Sequence, residues 1–195
     1  MVKIYGFSYE CENKFKNKNI FQKFVKSFSL LQLAAVIKYP NKNKKFFCVH
    51  GGLSPSINLI EDINKLNRKQ EDDSESPITD LLVDEPSYWG IGRSFVYAYP
   101  GDGYDSNVHG YGYVFNEEPV KKFCKDNKID FIITERSHLL EEGYEYYFEN
   151  KLIALWSAPN YFNKCNKACF IELDEHMNIN LKIFKGNKID EEEDE

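Results

Sequence analysis

A chain of 195 residues, 42% hydrophobic and 15% aromatic, is long enough to bury a core, which excludes a disordered or low-complexity protein. A formal net charge of −6 argues against a general binder of nucleic acid or of anionic membranes. The five cysteines, Cys11, Cys48, Cys124, Cys165 and Cys169, are odd in number and lack CxxC spacing, and no apolar stretch approaches the ~20 residues needed to span a bilayer. With no signal-peptide core at the amino terminus, reduced thiols in a cytoplasmic or nuclear protein are expected, with neither nucleic acid nor membrane as a partner.

In chain order, residues 9 to 31 begin polar and then carry Ile20, Phe21, Phe24, Val25, Phe28 and Leu31 at spacings of three and four, which predicts a core-facing helix. Leu33 to Ile37 and Phe46 to Val49, separated by Pro40 and a lysine- and asparagine-rich stretch, read as a strand pair. The second strand, from Lys45, delivers His50, and Gly51 and Gly52 after it let the backbone turn sharply and approach another group closely. Ser56 is placed to cap a helix through Ile57, Leu59, Ile60, Ile63 and Leu66, and Glu71 to Pro77 then reads as a surface loop. From Trp89 to Asn107 the chain is rich in Gly, Tyr and Asp without a period, which predicts an inserted loop over about 91–107.

Glu117-Glu118-Pro119 opens a helix carrying Val120 and Phe123, with acids at its positive end and Lys121, Lys122 and Lys125 further on. Strands are expected at Ile129 to Thr134, Tyr144 to Phe148, Leu152 to Trp156, Cys169 to Leu173 and Ile179 to Phe184, so the carboxy half is sheet-rich. Asp190 to Glu195 are all acids and bury nothing. The expected organisation is one domain over 1–186 and a disordered acidic tail over 187–195.

Histidine offers a neutral nitrogen to a transition metal, and a strand end supplies the rigidity that metal geometry demands. His50 therefore stands out, although one imidazole alone holds no catalytic ion. The four histidines, His50, His109, His138 and His176, have no mutual ligand spacing, which counts against a simple metal module built on them.

Four blocks point further: Ile4-Tyr5-Gly6-Phe7 with Glu10-Cys11; Phe47-Cys48-Val49-His50-Gly51-Gly52-Leu53-Ser54-Pro55; Glu142-Gly143-Tyr144-Glu145; and Ser157-Ala158-Pro159-Asn160-Tyr161. In order and spacing the chain resembles the metal-dependent protein serine/threonine phosphatases, the phosphoprotein phosphatase family with the calcineurin-like phosphoesterase fold. Ser56-Ile57, Leu66-Asn67-Arg68 and Ile171-Glu172-Leu173-Asp174 look most like its type 2A branch. The resemblance implies an α/β fold, part of a β-sandwich flanked by helices. It also implies two divalent metal ions (Mn, Fe or Zn), phosphoprotein substrates, and scaffold or regulatory subunits as partners. In that family the metals lower the pKa of a bridging water and clamp the phosphate oxygens.

Carried over residue by residue, His50 matches a metal-ligating histidine. A second ligand belongs near Arg136-Ser137-His138, where ungapped counting back from Gly143-Tyr144 places Ser137 in the ligand position and His138 one residue after it. The alternative for His138 is a solvated partner of Glu135. His109 stands where the family has a phosphate-clamping arginine, and it offers one donor in place of a two-pronged fork. Arg93, within the inserted loop, is the candidate substitute, and its alternative is a solvated loop arginine. Tyr161 matches a tyrosine at the rim of the catalytic groove, positioned to meet phosphate or simply to pack, while Asn160 and Ser157 shape its turn. The family's LLWSDP element reads Leu81-Leu82-Val83-Asp84-Glu85-Pro86, changes expected to loosen the groove floor.

The GDxHG, GDxVDRG and GNHE motifs that supply most ligands in the family do not occur in the 195 residues, and the match begins just beyond the last of them. Two functions are therefore expected. One is a portion of a protein serine/threonine phosphatase, inactive as this span alone and exposing a sheet face or edge to a partner chain. The other is a catalytically dead, phosphatase-like binding or regulatory module.

Overall fold

The computed structural model describes residues 6–40, 42–68, 76–87, 103–107, 111–135 and 140–186. Two units emerge, one of Met1–Gln32 with Asn67–Glu71 and one of Leu33–Leu66 with Asp72–Glu195. The smaller unit is built on α1 (Phe7–Phe15) and α2 (Lys18–Phe28), where the sequence predicts one continuous helix. The break falls at Lys16, in the left-handed region at φ 52°, and at extended Asn17, whose side chain accepts from the Asn19 amide at 2.9 Å. An asparagine that caps a new helix satisfies an orphan amide that continuing the old one would leave competing with its side chain. The Phe7 ring lies 6.1, 5.3 and 5.7 Å from those of Phe21, Phe24 and Phe28, so this part of the three-and-four spacing faces α1, whereas Leu31, beyond the end of α2, is exposed. Arg68 Nη2 donates to the Leu31 carbonyl at 3.0 Å, satisfying an acceptor beyond the end of α2.

The larger unit runs β1 (Ala34–Lys38), β2 (Lys45–Val49), α3 (Ile60–Ile63), α4 (Pro77–Val83), β3 (Glu85–Pro86), β4 (Tyr104–Ser106), β5 (Tyr113–Phe115) and α5 (Glu117–Asn127). It continues with β6 (Phe131–Thr134), β7 (Tyr144–Tyr147), β8 (Leu152–Leu155), a 3₁₀ turn at Tyr161–Asn163, β9 (Ala168–Leu173) and β10 (Ile179–Phe184). The main sheet has the order β1-β2-β6-β8-β7, with β2, β6 and β8 parallel and both outer strands antiparallel. A two-residue side-chain period divides it between two cores. Phe47, Val49, Ile132, Leu152 and Ala154 enter one core with Val120 and Phe123 of α5, the Phe47 and Phe123 rings 4.9 Å apart. Phe46, Phe131 and Ile153 enter the other, covered by the β9–β10 hairpin through Met177, Ile171, Leu173, Ile179 and Leu181.

Three local expectations are corrected. Ser56 caps no helix: Ser54 Oγ accepts its amide at 3.1 Å, and helix is confined to the single turn α3, whose first amide, on Ile60, donates to Asn127 Oδ1 at 2.8 Å. The side-chain bonds of Ser54 and Asn127 hold residues 54–59 in a turn instead. The loop expected through Pro77 ends at Ser76, whose side chain accepts from the Thr79 amide and starts α4 with proline in its first turn. The inserted loop does not extend to residue 107, because Tyr104–Ser106 pair with β5 as a strand. The rest of that loop, like the acidic tail, lies outside the described residues. Among the described residues no helix is long and apolar enough to cross a membrane.

Candidate active site

Parallel strands that end side by side leave a crevice beyond their carboxyl ends, the usual position of a site in such sheets. Here β2, β6 and β8 end there. Cys48 pairs with Ile133, so two residues further on His50 and Glu135 stand opposite each other, and the Glu135 amide donates to the His50 carbonyl at 3.0 Å. Their side chains also meet, His50 Nδ1 to Glu135 Oε2 at 2.8 Å, with both about half exposed. An ionised carboxylate only accepts, so Nδ1 carries a proton and donates. The hydrogen bond from His50 holds the Glu135 carboxyl below the ordinary range, against partial burial that raises it. A histidine oriented through one nitrogen by a carboxylate is a common arrangement of metal-ligating imidazoles.

The loop after His50 is fixed from below. The Gly51 amide donates to the Leu81 carbonyl at 2.9 Å, and a Cβ on Gly51 would lie 2.6 Å from the Val83 nitrogen. Ser54 Oγ donates to Asp80 Oδ2 at 2.6 Å inside the protein, where burial pushes the Asp80 carboxyl up and the serine bond partly offsets that. Asp84, fully buried, accepts the Tyr113 amide at 2.7 Å. Leu81, Val83 and Asp84 of the altered LLWSDP element are thus buried beneath the loop.

Beyond β8, the Tyr161 ring meets that of Trp156 edge-on at 4.9 Å. Asn166 organises this segment: its Oδ1 accepts the Tyr161 amide at 2.7 Å, and its Nδ2 donates to the Ala158 and Lys167 carbonyls, each at 2.9 Å. Asn160 Oδ1 takes the Cys165 amide at 3.1 Å, in keeping with its expected part in the turn. Thr134 Oγ1 and Trp156 Nε1, at the ends of β6 and β8, are buried without a hydrogen-bond partner among the described residues. His138, Ser137, His109 and Arg93 all lie outside the described residues. His176 sits in the β9–β10 turn with its Nδ1 3.4 Å from Lys42 Nζ, at the end of β2 opposite His50, so those two histidines share no site.

The model of calcineurin-like phosphoesterases matches residues 6–140. The chain belongs to the calcineurin-like phosphoesterase family. A solved protein serine/threonine phosphatase from Saccharomyces cerevisiae, described as similar to human phosphatase PP5, aligns with this phosphoesterase at a TM-score of 0.76 and 25% sequence identity. The alignment covers 96% of this chain and 57% of that one, so the phosphoesterase spans less than two thirds of that relative's length. The expected α/β fold of this family is thereby found. Family membership implies divalent metal ions. Among the described residues no three His, Cys, Asp or Glu side chains form a group able to hold one, so they do not fit the metals by themselves.

Two groups escaped the sequence reading. Glu135 enters the sequence reading only in the alternative for His138, yet its place after a strand running parallel to β2 is the signal that pairs it with His50. Asn166 carried no signal, because its role depends on the path of the backbone between residues 158 and 167.

Proposed function

We propose that this chain forms the histidine-bearing wall of a protein serine/threonine phosphatase site, acting on phosphoserine and phosphothreonine in proteins. The observation that carries the reading is the His50–Glu135 pair at the carboxyl ends of two parallel strands, in a chain whose fold is that of the calcineurin-like phosphoesterases. In such enzymes bound divalent ions, Mn, Fe or Zn, supply a hydroxide nucleophile at neutral pH and neutralise phosphate charge. On this chain His50 offers Nε2, and Glu135 fixes its tautomer and direction. Tyr161 forms part of the rim. His138, or Ser137 in its place, is the proposed second ligand position, and His109 and Arg93 are the proposed phosphate donors. Scaffold or regulatory subunits of the type 2A kind remain part of the proposal.

As an isolated span the chain is proposed to be inactive, since the three ligand-bearing motifs do not occur in it. The same observation favours, as second reading, a phosphatase-like binding module. Two measurements test these readings. Imidazole ¹⁵N NMR of the chain should find the neutral His50 ring protonated at Nδ1, with Nε2 unprotonated; the opposite tautomer refutes the ligand role. Turnover of a phosphothreonine peptide with Mn²⁺ should not exceed that of the His50→Gln variant, and a clear excess would refute the proposed inactivity.

A further inference from the structure

Strand β1 ends the main sheet, and no described strand pairs with its outer edge. Natural edges of this kind are covered, shortened or charged, because an open row of amides and carbonyls recruits other strands. β1 is weakly protected: Val36 and Ile37 are 42% and 36% exposed, and Tyr39 just beyond it 44%. The register Val36↔Phe47 and Ile37↔Phe46 places Val36 and Ile37 on opposite faces, so an added strand would find apolar contacts above and below.

The charge around this edge is one-sided. The chain carries a net −6, yet from Leu33 to Ile60 it contains four lysines and no aspartate or glutamate. These four, Lys38, Lys42, Lys44 and Lys45, lie at the β1–β2 turn, all at one end of the open edge. Of the acids near that turn, Asp130 is engaged by the Lys45 amide at 2.8 Å, and Glu175 reaches His176 at 3.5 Å.

We infer that the outer edge of β1 is a docking site for an extended peptide segment of another protein, with alternating apolar residues along β1 and an acidic end against the lysine turn. Three occupants compete, and the chemistry separates them. A bilayer offers no partners to open backbone amides and carbonyls. A second copy pairing through β1 would bring two lysine-rich turns onto one short ribbon, with like charges unmatched. An acidic strand satisfies the backbone, the apolar faces and the charge together, the combination seen in β-strand addition. The inference stands apart from the hydrolase reading, because it uses no residue of the His50 site.

The test uses the full chain and fluorescein-labelled peptides in which an acidic triplet precedes alternating valine and threonine, such as EDEVTVTV. Saturable binding by anisotropy is expected, with slower amide exchange at Ala35–Ile37. Methylating alternate peptide amides, which removes strand pairing without touching the protein, should weaken binding about tenfold or more, as should the Lys42→Glu/Lys44→Glu variant. Equal binding of the methylated peptide would show charge attraction alone and overturn the inference. So would no binding of the acidic peptides up to about 1 mM, or a β1-mediated dimer that excludes the peptide.

Discussion

Replacing Gly51 by alanine tests whether the loop after His50 is held by close packing. A Cβ there would lie 2.6 Å from the Val83 nitrogen, 2.7 Å from the Leu82 carbonyl carbon and 3.0 Å from the Asp84 nitrogen. These are backbone atoms at the end of α4, so no side-chain rotation relieves the contact, and the Gly51 amide bond to the Leu81 carbonyl prevents the loop from simply backing away. Overpacking of a tight interior costs roughly 1–3 kcal/mol, and a clash that only backbone movement relieves belongs at the upper end, about 3 kcal/mol. With a urea m-value on the order of 2–3 kcal/mol/M, the midpoint should fall by about 1 M. Fluorescence of Trp156 in a Trp89→Phe background follows the transition. Gly186→Ala is the control: its Cβ would meet Asn160 and Pro159 side chains at ordinary distances of 3.4 to 3.6 Å, and its cost should stay within about 0.5 kcal/mol. If Gly51→Ala unfolds at the same urea concentration as Gly186→Ala, the close approach of loop and helix does not exist in solution.

Other expectations follow from the same surroundings. Burial raises the folded-state pKa of Asp80 above its ordinary value of 3.8, so ionising it costs stability as pH climbs from that value through the raised one. Asp80→Asn keeps an acceptor for Ser54 and should match or exceed the parent by about 1 kcal/mol at neutral pH, the difference closing below pH ~4 in denaturation curves; a gain that grows on acidification contradicts this. Cys165 is exposed, while Cys11, Cys124 and Cys169 are buried, with burial pushing Cys124 up to about 11. A native thiol titration should therefore show Cys165 as the fastest-reacting group, and Cys165→Ser should remove that phase. Tyr161→Ala removes the ring packed on Trp156 and should red-shift Trp156 emission in the Trp89→Phe background. An unchanged spectrum would place Tyr161 away from it.

The sheet was legible because its strands are apolar runs bounded by turn residues. Tyr144, Leu152 and Ile179 begin their strands as expected, and the parallel neighbours of β2 make each run almost continuously hydrophobic. Short elements were not. β3 to β5 are two or three residues long, below the length at which alternation can be read, and their pairing depends on buried Asp84 holding the Tyr113 amide. Helix periodicity was read correctly on α2 but could not show the break at Asn17, where a local capping bond outweighs continuation of the helix. In the site, His50 announced itself through its strand and the two glycines. Glu135 did not, since its partnership is set by which strands lie side by side.

Residues 50 and 135 are joined by main-chain bonding before any side chain is considered. Whatever amino acids occupy them inherit their adjacency from the ladder, so the pair works as a two-position cassette. Exchanging histidine and glutamate for other acids, thiols or amides would change the chemistry offered to solvent without redesign of the scaffold beneath.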